Sequence, residues 1–171
     1  MANTNFVSTI SDAFDADFSI GKVEGGIFRD IGKSGGGDAI DISGSRVSVS
    51  GTFFENVNDK ALSVGENSTM SVKNIHVRKA GTAAVSKDGS LLEINNSYIN
   101  QAVHAGLMAY IKKPEFGPAR IIANNIKYSG SSAFARAEKG SEITIDGKEI
   151  EPENIDVKQI YDTIMRPGGQ K

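Results

Sequence analysis

The sequence predicts an all-β solenoid of about six short coils closed by a C-terminal helix, and three observations carry that expectation. The first is a repeated phrase. "DAIDISGS" at 38–45 and "KALSVGENS" at 60–68 each run from a small residue through alternating apolar and polar positions to a closing Ser. That Ser recurs at Ser45, Ser68, Ser90 and Ser141, a period near 22 with one gap of 51. The second observation is that a short alternating run follows each Ser: "RVSVS", "MSVKN", "LLEINN", "RIIANN" and "EITID". Alternation with period two reads as strand, not helix. The third is that Gly51, Asn74, Asn96, Asn125 and Gly147 stand just after these runs. Gly and Asn tolerate the left-handed backbone of a tight corner.

A period of this length excludes the alternatives. A leucine-rich repeat needs a Leu consensus that is missing, and a propeller blade needs about twice the length. A meander of hairpins would show Asn-Gly or Asp-Gly between successive strand pairs. The chain has Asp-Gly at 146–147 and 88–89 only. What remains is a coil of three short strands per repeat, each coil pairing in parallel with the next about 4.8 Å higher. The coils start near Asp12, Asp38, Lys60, Thr82, Ala105 and Ala133, with "DAFDADFS" at 12–19 as the earliest copy. The expected inward residues of the first strand are Phe14/Ala16, Ile40/Ile42, Leu62/Val64, Ala83/Val85, Leu107/Ala109 and Ala133/Ala135. The expected outward columns are Asp15–Asp41–Ser63–Ala84–Met108–Phe134 and Asp17–Ser43–Gly65–Ser86–Tyr110–Arg136. Residues 112–119, "KKPEFGPA", fall where the long gap needs extra chain and are expected to project as a loop.

Composition fits one domain. The chain has 171 residues, 19 Gly, 4 Pro and no Cys. Disulfide scaffolds and thiolate metal sites are excluded. Net charge is -2, which argues against nucleic-acid binding, and no apolar run is long enough to span a membrane. The opening "MANTNFVSTISDAF" has neither a basic region nor an apolar core, so no signal peptide is expected.

The chain divides into an N-terminal segment, 1–10; the solenoid, 11–150; and a C-terminal helix and tail, 151–171. In "NIDVKQIYDTIM", Val157, Ile160, Tyr161 and Ile164 share one helical face, with Asn154 as N-cap and Pro167–Gly168 as the stop. This helix is expected to cap coil six. The N-terminal end has only Phe6, Val7 and Ile10 to cover it, so it is expected to meet another protein surface: a second copy, upstream coils, or a partner subunit.

The phrases "DKALSVGENS", "VSKDGSLLEINNSYI" and "AYIKKPEFGPARI" resemble right-handed parallel β-helix proteins of the pectate-lyase-like superfamily, and within it a bacterial group often found in larger secreted chains. The resemblance implies a single-stranded parallel β-helix with its ligand cleft on the outer face of a parallel sheet. It also implies an extracellular or cell-surface location, with a cytoplasmic one left open. The superfamily holds lyases, hydrolases, carbohydrate binders and scaffolds, so fold leaves activity open.

Three sets of residues invite a chemical reading. Asp15, Asp17 and Asp41, near Asp12 and Asp38, would offer hard oxygen ligands to Ca²⁺, and family lyases pair Ca²⁺ with a basic residue. The simpler reading is a solvated, backbone-capping turn. Lys60, Glu66, Lys87 and Asp88 form a second set, in which a lysine would neutralise a uronate or act as base. Third, the aromatics Tyr110, Phe116 and Phe134 near the inserted loop, with Lys112, Lys113, Lys87 and Arg136, would suit an acidic polysaccharide. The simpler and favoured reading is that Phe116 pins the long loop back on the coil. His76 and His104 fall more than a coil apart, and "GKSGGGD" at 32–38 lacks phosphate-loop spacing. No catalytic constellation is legible. The sequence therefore favours a non-catalytic interaction or scaffold module, over a polysaccharide lyase or hydrolase that acts on an acidic glycan with or without calcium.

Overall fold

The computed structural model describes residues 1–165. It is a parallel β-solenoid of about six turns. The strands are β1 (Asn5–Val7), β2 (Phe14–Asp17), β3 (Ile20–Glu24), β4 (Ile27–Ile31), β5 (Ile40–Ser43), β6 (Arg46–Ser50), β7 (Phe53–Gly65), β8 (Thr69–Lys73), β9 (His76–Lys87), β10 (Leu91–Tyr110), β11 (Arg120–Ser129), β12 (Ala133–Ala137), β13 (Glu142–Ile145) and β14 (Lys148–Glu149). They wrap into three lateral faces. The first stacks β2, β5 and the ends of β7, β9 and β10, then β12. The second stacks β3, β6, β8, the start of β10, then β11 and β13. The third stacks β1, β4, the starts of β7 and β9, the middle of β10 and the end of β11.

The repeated Ser has a structural duty. The N–H of Ser19 donates to Ser45 Oγ at 2.8 Å, that of Ser45 to Ser68 Oγ at 2.9 Å, and that of Ser68 to Ser90 Oγ at 3.1 Å. Each hydroxyl thus satisfies a corner N–H of the preceding coil, which the bent backbone removes from the ladder. The other corner uses amides. Asn74, Asn96 and Asn125 are left-handed, with φ of 54, 48 and 52°. Asn125 Nδ2 donates to Asn96 Oδ1 at 2.8 Å.

Inside, like stacks on like. Ile42 lies over Val64, as expected, and Val72 over Ile94; all four are fully buried. Phe6, Phe28 and Phe54 form a ring stack with centroids 4.9 and 5.2 Å apart. Residues 1–10 therefore build part of a coil, and β1 covers the edge of β4. The edges of β2 and most of β3 stay open at this end, where Phe18 and Ile20 are 85% and 83% exposed.

Three expectations are corrected. In the fourth coil the register pairs Leu62 with Ala84 and Val64 with Ser86, so Ala84 and Ser86 occupy the columns assigned to Ala83 and Val85. Val85 and Lys87, not Ala84 and Ser86, face outward, and in the sixth coil Arg136 and Glu138 continue the columns assigned to Phe134 and Arg136. The apolar pattern misleads here because Val85 is buried from outside by the C-terminal segment, while Ser86 is satisfied internally by Ser90 O at 2.9 Å. Second, the C-terminal helix does not lie over coil six. The α-helical turn α1 (Val157–Gln159), capped by Asp156 rather than Asn154, continues as a wider turn through Met165. Val157, Ile160 and Tyr161 pack against Val85, Met108 and Tyr110 on the first lateral face. The coil end is met instead by Ile145 and Ile150, joined by the antiparallel turn of β14 onto β13. The expected stop at Pro167–Gly168 lies outside the described residues, and so does the side chain of Ile164. Third, residues 112–118 are tied down. The Lys112 and Lys113 N–H groups both donate to Asp88 Oδ1 at 2.6 Å, and the Gly89 N–H donates to Gly117 O at 2.9 Å.

Candidate functional site

The first lateral face gathers most of the charge that the sequence flagged; its middle coils are covered by the C-terminal segment, and its first coil, with Asp12, Asp15 and Asp17, is exposed. Two register columns run along it. One is Asp15–Asp41–Ser63–Val85–Met108–Arg136. The other begins with Asp17 and Ser43, and its later members are Gly65, Lys87 and Tyr110. Beside them, at the start of each coil, stand Asp12, Asp38, Lys60, Thr82 and Ala105.

Asp12 and Asp38 repeat one bond. Asp12 Oδ1 accepts the Asp38 N–H at 2.6 Å, and Asp38 Oδ1 accepts the Lys60 N–H at 3.0 Å. A carboxylate at the coil start thus satisfies the backbone of the next coil. The third coil carries Lys60 instead, and its ammonium turns back to Asp38 Oδ1 at 3.0 Å and Asp59 Oδ2 at 2.7 Å. All three residues are buried. Burial alone would lower the Lys60 ammonium's pKa, but Asp38 and Asp59 outweigh it and hold it above the ordinary lysine range. Burial also pushes Asp59 up to about 6, against the pull of Lys60.

Lys87 forms the second node. Its Nζ donates to Ser63 Oγ at 2.9 Å and lies 3.7 Å from Asp41. Gly65 makes room: a Cβ there would sit 2.7 Å from Lys87 Cε. Burial disfavours the Lys87 charge, yet Tyr161 and Asp41 raise its pKa overall. Burial raises Asp41, despite the opposing pull of Lys87.

Tyr161 roofs both nodes. Its hydroxyl lies 2.8 Å from that of Tyr110, and its ring takes Lys112 Nζ at 4.3 Å and Lys60 Nζ at 5.8 Å. Tyr110 is fully buried, and burial pushes its phenol well above the usual range.

Each flagged residue can now be placed. Tyr110, Lys112 and Lys87 converge beneath Tyr161. Lys113 pairs with Glu66 at the tied loop, where Phe116 ends a one-turn helix, Pro114–Phe116. Arg136 is drawn away to Glu153 at 2.7 Å. Asp15 and Asp41 are register neighbours, and Asp17 sits beside Ser43. Burial, then Asp17 and Asp12, raise the Asp15 carboxyl. Among the described residues no three acidic or histidine side chains converge on a metal-sized centre. The sequence reading did not single out Asp59 or the roof of Tyr161. The substitution of Lys60 into a column of Asp was the available signal.

Comparison with family models, with curated proteins and with solved structures returns no match to this chain. The functional reading therefore rests on the chain's own geometry.

Proposed function

We propose that this chain is a non-catalytic β-solenoid module that works by binding, and that its open N-terminal end meets a second copy. One observation carries the first half: over its middle coils the outward face of the first sheet is filled by the chain's own Tyr161 and Ile160, and both buried lysines are spent on internal partners. A lyase base must reach substrate and shed its proton near neutral pH. Lys60 and Lys87 are roofed over, and their neighbours hold both above the ordinary lysine range. The exposed Phe18 and Ile20 beside unpaired strand edges support the second half.

The purified chain should be incubated with polygalacturonate, alginate and hyaluronate, with and without Ca²⁺. Absence of unsaturated product absorbing in the ultraviolet is the expected result. Product in any tube would overturn the module reading in favour of a lyase.

A further inference from the structure

The N-terminal end of the solenoid carries more than open strand edges. A hollow of about 320 Å³ opens there, floored by Phe14, Ala16, Val23 and Val47 and rimmed by Asp15 and Asp17. The strands beside it, β2 and β3, each have a partner on one side only, apart from the contact of Met1 and Ala2 with the end of β3.

Next to the hollow stands Phe18. Its backbone is left-handed, with φ of 48°, a conformation that a bulky aromatic keeps only when something holds it there. Gly44 occupies the same corner one coil up, and a Cβ on it would come within 2.7 Å of the Phe18 ring. The missing Cβ lets the ring lie over the corner, exposed instead of packed into the core. Ile20, two residues on, is equally bare. An aromatic ring and an apolar hollow are the two halves of an anchor contact. A single patch that carries both is complementary to a copy of itself.

Electrostatics opposes that contact at neutral pH. Asp12, Asp15 and Asp17 all stand exposed on the first coil. Burial, then Asp17 and Asp12, with Asp38 behind them, push the Asp15 carboxyl up. Asp41, its register neighbour, is drawn to Lys87 at 3.7 Å. Lys22 at the hollow is paired with Glu24 at 2.9 Å, and the Met1 ammonium donates to Lys22 O at 2.6 Å. Arg46 lies in register with Ile20, on the second face. A second copy docked on this end brings its own three carboxylates toward the first three, and physiological salt screens charges only beyond about 8 Å. In the pair, Asp15 faces more negative charge and less water than in the single chain, so it holds a proton more tightly.

We propose that two copies join through this end with Phe18 of each against the hollow of the other, and that acid tightens the joint as Asp15 takes up a proton. The proposal rests on the second-copy reading and adds its anchor and its regulation. A group that binds its proton more tightly in the pair favours the pair at low pH. That contribution is lost as pH rises through the value the group has in the pair. Salt acts in the same direction as acid at neutral pH, and its effect shrinks once Asp15 is neutral.

Sedimentation of the full chain over a concentration series at pH 7.5 and pH 4.5 tests this. The dissociation constant should fall at least about tenfold from the higher to the lower pH, as for one proton taken up across one pH unit. Asp15→Asn should associate more tightly than the parent at pH 7.5 and lose most of the pH dependence. Phe18→Asn replaces the ring by a residue that accepts the left-handed backbone. Its melting temperature should hold or rise while association weakens at least about tenfold at both pH values. Arg120→Ala/Glu142→Ala, on the second face, should associate like the parent. A parental pH response in Asp15→Asn, or a parent with one dissociation constant at both pH values, overturns the acid response and leaves the second copy in place. Parental association by Phe18→Asn overturns the anchor. A parent that stays monomeric at both pH values overturns the second-copy reading and this joint with it.

Discussion

Lys60 Nζ stands 3.0 Å from Asp38 Oδ1, and the same oxygen accepts the Lys60 backbone N–H at 3.0 Å. One carboxylate therefore fixes both the stacking of two coils and the position of a buried cation. Removing the cation leaves Asp38 and Asp59 buried against each other. Lys60→Ala should cost about 3–5 kcal/mol, the usual penalty of orphaning a buried charge. Urea unfolding should show this as a lower midpoint. A double change to apolar residues, Asp38→Leu/Lys60→Met, should cost less than Lys60→Ala alone, because one buried carboxylate, Asp59, and not two, is then left without its cation.

Asp59 gives this network a pH dependence with a definite sign. Its folded pKa of about 6 lies above the ordinary carboxylate value. Between those values the folded chain holds a proton that the unfolded chain has released. Stability from this group is therefore present at low pH and is lost as pH rises through about 6. Asp59→Asn should remove the slope. The test is the difference in unfolding free energy between parent and variant from pH 4 to pH 7. A difference that stays constant across that range would contradict the assignment.

The roof should be separable from the solenoid. Tyr161 holds the C-terminal segment through its Tyr110 bond and its ring contact with Lys112. Tyr161→Ala should speed tryptic cleavage after Lys158 several-fold, with the strand signal in circular dichroism unchanged. Cleavage at the parental rate would mean that Ile155 and Ile160 suffice to anchor the segment.

At the open end, Phe18→Lys/Ile20→Lys should abolish self-association detected by sedimentation of the parent chain. Added salt should strengthen the parent's association, because Asp12, Asp15 and Asp17 lie at that end and screening relieves their repulsion. A parent that sediments as a monomer at low and high salt would remove the second copy from the proposal.

Periodicity made the solenoid legible because a Ser at one corner and a Gly or Asn at another recur in most coils. The interior was legible wherever one face alone was buried, as at Ile42 and Val64. It failed at Val85 and Ser86, where the C-terminal segment buries the outer side as well and alternation loses its meaning. The same segment hid the fate of Tyr110, Lys87 and Lys112. No local pattern tells a sequence which face a distant helix will choose. The corner Asp30–Asn56–Lys79–Gln101, left-handed at all four positions, escaped notice for a different reason. Its members share a backbone conformation and not a residue type, so the eye finds no repeat.

The reversal at β14 has a consequence for assembly. Thr144 faces Glu149 and Ile145 faces Lys148 in antiparallel pairing. A following coil arriving in parallel would find its place along β13 already taken by a strand of opposite sense. Head-to-tail stacking is therefore blocked at one of its three seams, and open filaments, which need heterologous contacts, are disfavoured. Two copies that meet through their N-terminal ends do so about a two-fold axis. Such contact is isologous and closes on itself, so the molecule's polarity limits it to a pair.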